Sequence, residues 1–130
     1  MKEPDYTVEI DAGPPELVGP LDEGHLHIRL ALEPEPNQTW IEIFNNLPAG
    51  VEFWPDIEHP HAAGSGIDGQ VRDDLLERYV AHIRERAAAT NRDYNAEVAP
   101  QLKAAAEKQQ AEFEKQEQRL ADVQRRLEGL

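Results

Sequence analysis

Four of the chain's five histidines fall in two His-x-His pairs, His25-Leu26-His27 and His59-Pro60-His61. Imidazoles two residues apart on a strand point to the same face, a geometry that sheets use to hold metal ions. Asp56 and Glu58 stand beside the second pair and offer oxygen ligands. Were the pairs to meet, the set would suit zinc, or iron or manganese with a carboxylate. A small metal-dependent enzyme built on His25, His27, His59 and His61 is one reading. The plainer reading leaves these histidines solvated, on the outer face of a strand and in a turn. Spacing alone is a weak signal, and the plainer reading is preferred.

Other chemistry has less support. Gly64, Gly66 and Gly69 in "GSGIDG" match a phosphate-binding glycine pattern. The nearest expected strand ends well before it, and no strand follows the helix to build a crossover unit. A flexible hinge explains these glycines better. Gly19, His25, His27 and Glu33 bear a partial resemblance to the cupin pattern, but Glu33 lies later than that pattern's glutamate and no second motif follows. No residue is carried over from it. Cysteine is absent, and Ser65 sits among the glycines. No catalytic residue is assigned and no cofactor is expected.

Charge says more. Residues 1–67 hold two basic and 13 acidic residues, a net of −11, whereas residues 68–130 hold 11 and 13, a net of −2. Nine of the ten prolines lie in the first segment. An acidic front repels nucleic acid and anionic membranes and favours basic protein surfaces. With no thiol, no membrane-length apolar run and no leader-like start, the expected setting is the cytoplasm.

The elements that would position these residues divide the same way. In the front, "YTVEID", "HLHIRLALE", "TWIEIFN" and "VEFW" alternate like strands. "HLHIRLALE" puts Leu26, Ile28, Leu30 and Leu32 inward and His25, His27, Arg29 and Glu33 outward. "GPPELVGPLDEG", "EPEPNQ" and "NNLPAG" read as turns. A three-stranded antiparallel meander follows, with Tyr6–Asp11 as a possible fourth strand. Trp40, Phe44 and Trp54 would then lie opposite the aliphatic face, as a covered layer or an exposed aromatic patch.

The back reads as helix. Leu76, Val80, Ile83, Ala87, Thr90 and Tyr94 form one seam. Ala99, Leu102, Ala106, Gln109, Phe113, Gln116, Leu120, Val123, Leu127 and Leu130 form a second, two residues out of register. "TNRDYNAEVAP" between them predicts a turn, hence two helices, roughly 68–91 and 95–129, folded as an antiparallel hairpin. A parallel pairing of the second helix would set Glu112 against Glu117. An antiparallel one could set Glu112 near Arg119 or Arg126.

The expected fold is thus α+β: residues 1–67 an acidic, proline-rich β domain, and residues 68–130 a helical hairpin with a long coiled-coil-like helix. The expected function is a non-catalytic protein–protein interaction module. Its acidic head would bind a basic protein surface through Trp40, Glu42, Phe44, Glu52 and Trp54. Leu120, Val123 and Leu127 would serve homo-oligomerisation or docking. A sharper version is an inhibitor whose carboxylates stand where nucleic-acid phosphates would. A structural subunit of a larger assembly is a further alternative. Neither nucleic acid nor membrane is expected as a direct partner.

Overall fold

The computed structural model describes residues 6–20, 24–48, 50–52, 54–55 and 57–130. The chain is α+β. Strands β1 (Asp11–Pro20), β2 (His25–Glu33), β3 (His61–Ala63) and β4 (Gly66–Arg72) form one antiparallel sheet in the order β1-β2-β4-β3. A short helix α1 (Gln38–Asn45) lies between β2 and β3 in the chain. After β4, a 3-10 turn (Asp73–Leu75) leads into α2 (Leu76–Asp93), a π turn (Tyr94–Val98) and α3 (Ala99–Glu128).

β2 is the strand its sequence promises. Ile28, Leu30 and Leu32 are buried, while His25, Arg29 and Glu33 are exposed. It pairs with β1 on one side and β4 on the other. β1 runs through "DAGPPELVGP", which reads as a turn. It is an edge strand, where a proline's missing N–H deprives no neighbour of a hydrogen bond. Its register shifts between Ala12 and Pro15 and again between Leu17 and Gly19.

"TWIEIFN" is helix, not strand. Asn37 caps it, its Oδ1 accepting from the Trp40 N–H at 2.9 Å. Trp40, Ile41 and Phe44 then share one helical face and are buried. Val51, Glu52 and Trp54 lie in irregular chain, not in a strand; Phe53 falls outside the described residues. Tyr6–Ile10 forms no strand either.

The glycine stretch is a hairpin, not a hinge. Ala63 pairs with Gly66, so Gly64-Ser65 is a two-residue turn, with Gly64 at φ +57°. The helix therefore starts at Leu76, not at 68, and a boundary at 67 would cut β4. One core joins the two halves: Ile28, Leu30, Leu32, Ile67 and Val71 of the sheet pack with Trp40 and Phe44 of α1 and with Tyr79, Ile83 and Ala87 of α2. At Gly69 the sheet and α2 approach closely, and a β-carbon there would collide with the Tyr79 hydroxyl.

No hairpin of helices forms. Tyr94 and Val98 keep helical backbone angles, and the Ala99 N–H donates to the Tyr94 carbonyl five residues back. The wider turn takes up part of the register offset within a continuous helix. Pro100 suits this place, because it has no N–H to donate and its ring crowds the preceding turn. From Leu76 to Glu128 the rod runs about 80 Å at ~1.5 Å per residue. α2 lies on the sheet and α3 projects beyond it, exposed along almost its whole length.

Candidate functional site

The outer face of the sheet collects the charged residues. Glu16 pairs in register with Arg29, Arg29 with Asp68, and Asp68 with His61, giving one row across all four strands. Arg29 Nη1 approaches Asp68 Oδ2 at 3.9 Å, and His27 Nε2 lies 3.2 Å from Asp68 Oδ1. Gly66 leaves room for the Arg29 guanidinium, whose Nε would be 2.8 Å from a β-carbon there. His25 stands opposite Arg72, and His59 is exposed in the loop before β3. Among the described residues no three histidine or carboxylate side chains gather closely enough to hold an ion. The two His-x-His pairs form no such group there; Asp56 lies outside the described residues.

The aromatic patch divides. Trp40 and Phe44 are completely buried, stacked at 5.6 Å with 16° between their planes. They are core residues, so the expectation that both meet a partner is corrected. The strand reading placed them opposite the aliphatic side; the helix turns them into the core. Trp54 is different. It lies half-buried in a groove of about 510 Å³ lined by Glu52, Arg78, His82 and Glu85. Arg78 sits over its ring at 4.6 Å, and His82 meets it edge-on at 6.0 Å. Burial, reinforced by Arg86, holds His82 below its ordinary pKa, with Glu85 opposing and His59 adding. Glu42 is exposed on the solvent side of α1.

The helical candidates lie on bare α3. Leu120 is 69% exposed and Leu127 59%, with Val123 half-buried between them. Phe113 and Leu102, on the same seam, are also exposed.

Four residues with polar groups on the helix carry weight that the sequence reading did not give them. Asn95 Oδ1 accepts from the Val8 N–H at 2.7 Å, and its Nδ2 donates to the Val8 carbonyl at 2.9 Å. Asn91 does the same to Ile10, at 3.2 and 2.9 Å, and also accepts from Trp40 Nε1 at 2.8 Å. One helical turn apart, the two amides replace a strand's ladder and hold Val8–Ile10 against the rod. Poor helix formers at this spacing were the available signal. Arg86, 1% exposed, donates from Nε to the Phe44 carbonyl at 2.8 Å and lies over the Phe44 ring. Its charge faces the negative end of α1. Its Nη1 is buried without a hydrogen-bond partner, and burial lowers the guanidinium pKa. Tyr79 donates to the Glu58 carbonyl at 3.1 Å, and burial raises its pKa.

Together the candidate residues form a charged sheet face, a tryptophan lined by Glu52, Arg78, His82 and Glu85, and a largely apolar seam on a projecting rod. Among the described residues no helix is long and apolar enough to cross a membrane. Comparison of the chain with protein-family models, curated proteins and solved structures finds no match.

Proposed function

We propose that this protein is a non-catalytic interaction module, with α3 as its assembly element and the acidic head as the part it presents. The observation that carries this reading is the bare rod. α3 repeats apolar residues at steps of three and four, yet among the described residues only Ala99 of this helix is buried. Exposed apolar residues that recur along one seam, with Gln109 and Gln116 between them, mark a contact surface, whereas scattered ones need no explanation.

The head supports the second half of the reading. Its net of −11 over residues 1–67 favours a basic protein surface. Glu42, Glu52 and Trp54 are the residues through which it would act, now without Trp40 and Phe44. A tryptophan that is half-buried and ringed by charge supplies contact area, while the carboxylates steer and orient.

Light scattering across protein concentration tests the assembly half. A mass that rises above that of one chain, and falls back in Leu120→Lys with Leu127→Lys, is the expected result. A strict monomer at every concentration removes it. A lysine-rich peptide tests the head: Glu42→Lys with Glu52→Lys should weaken its binding more than Glu114→Lys with Glu128→Lys on the rod. Equal losses would reduce the head's role to overall charge.

A further inference from the structure

We propose that α3 pairs with α3 of a second copy of this chain in antiparallel orientation, with Leu102 facing Leu127 of that copy and Glu112 facing its Arg119. The proposal rests on the assembly reading above and specifies its geometry.

Among the described residues nothing covers the seam beyond Ala99, because α3 continues α2 through the π turn and does not fold back. From Leu102 the stripe runs through Ala106, Gln109, Phe113, Gln116, Leu120 and Val123 to Leu127. In a parallel in-register pair, like positions meet. Gln109 would then face Gln109, and Gln116 would face Gln116, burying two layers of paired amides with only the Phe113 layer between them. Glu112 would also face Glu117 on both sides of the pair, and those charges repel.

Reversing one helix changes every layer. Leu102 meets Leu127, and Ala106 meets Val123. Gln109 meets Leu120, and Gln116 meets Phe113, so no layer holds two amides and each glutamine has an apolar neighbour to lie along. At the flanks, Glu112 meets Arg119 twice by symmetry, Ala105 meets Arg126, and Gln110 meets Glu117. No like charges face each other. Sliding the helices by one heptad would pair Glu112 with Arg126 instead, but would set Arg119 against Arg119 and shorten the overlap.

The ends agree with this register. Ala99 is already buried by its own head, so pairing begins at Leu102, the first exposed seam residue. The Leu127 that meets it closes the overlap at the far end, and both bare seams are used from Leu102 to Leu127. The two heads then sit at opposite ends of the paired rods, their α3 origins about 45 Å apart at ~1.5 Å per residue.

The chain has no cysteine, so single engineered thiols report the arrangement without background. Ala106→Cys and Val123→Cys chains of different tagged mass are mixed, equilibrated and oxidised gently. The expected product is the mixed disulfide, with little of either homodimer. Homodisulfides from each variant alone would overturn the antiparallel geometry while leaving assembly intact. A dimer by light scattering with no disulfide of any kind would overturn the seam as its interface. A strict monomer would remove the assembly reading and this inference together. Charge gives an independent reading. Glu112→Arg should weaken dimerisation about tenfold, and so should Arg119→Glu. The two changes in one chain restore the opposite-charge pairs and should return affinity to near the starting value. No rescue in the double variant, with helical content unchanged, would overturn the register.

Discussion

In the head, α2 lies on the sheet with Tyr79, Ile83 and Ala87 buried. Further along the same helix, α3 carries Phe113 and Leu120 into solvent. The two stretches are helical for different reasons. α2 and the π turn hold Thr90, Asn91, Tyr94 and Asn95, none of them strong helix formers. Packing and the hydrogen bonds to Val8, Ile10 and Trp40 fix that part of the helix. α3 is rich in Ala, Glu, Lys, Gln, Arg and Leu, which favour helix without help. Gln110 with Glu114 and Asp122 with Arg126 add local pairs. A helix that grows from α2 also starts from a formed turn, so it avoids the unfavourable nucleation step. Tertiary contacts can therefore override poor local preference near the sheet, while good local preference sustains α3 beyond it.

One leucine from each region puts this contrast to its strongest test. Leu30 is completely buried on β2, and Leu120 is exposed on α3. Leu30→Ala should remove about 2–5 kcal/mol of stability, because transfer and cavity terms add. Leu120→Ala should leave the monomer's unfolding within about 0.5 kcal/mol of the parent. The same change should still weaken self-association. Denaturant unfolding at low protein concentration separates the two effects, and comparable losses from both variants would mean that α3 is packed against something within the chain.

The asparagine clamp ranks next. Asn91→Ala strands the Ile10 N–H, the Ile10 carbonyl and Trp40 Nε1 at once, and should cost about 2–3 kcal/mol. Asn95→Ala strands only the Val8 N–H and carbonyl, at a more open site, and should cost less. Gln110→Ala on the rod should cost a few tenths. Amide exchange at Val8 and Ile10 provides the local readout. It should speed up in the two asparagine variants and stay unchanged in Gln110→Ala. The ordering Asn91, Asn95, Gln110 is the content of the prediction, and a flat series would leave the clamp without an energetic role.

What was legible beforehand follows from how local each signal is. β2 was legible because a central strand with one buried face must alternate, and Leu26 to Glu33 alternates without interruption. The helical reach of residues 99–128 was legible because steps of three and four persist over many turns. "TWIEIFN" was not, since seven residues fit either period once Trp40, Ile41, Ile43 and Phe44 are all apolar. The deciding signal was Asn37, a helix cap that reads equally well as a turn residue. β1 was hidden by Pro14 and Pro15, which argue against a central strand but not against an edge. Gly64-Ser65 carried a hairpin signal that its glycine-rich setting masked. Among the candidate residues, Leu120, Val123 and Leu127 lie where their spacing placed them, whereas Trp40 and Phe44 followed the mistaken period to the wrong side. Asn91 and Asn95 looked like a break because local preference cannot show a tertiary hydrogen bond.

The smallest expected effect concerns protons, and it again separates the regions. α3 has no histidine, while His82 lies half-buried beside Trp54 in the head. Burial disfavours its charged form, the nearby Arg86 adds to that, Glu85 opposes it, and His59 adds a smaller push. Its pKa in the folded protein is therefore below the ordinary 6.5. As pH falls, the unfolded chain takes up the proton first, so unfolding becomes easier with acidification. The stability His82 contributes is complete above about 6.5 and is lost as pH drops through its lower, folded value. The head's Tm should fall between neutral and mildly acid pH, and His82→Gln should remove part of that slope. The difference between the two profiles isolates His82 from the other four histidines. An NMR titration of the His82 ring gives the direct test. A midpoint below 6.5 supports burial as the cause, and one at or above it would mean that Glu85 outweighs burial and that the Trp54 groove is wetter than its geometry implies.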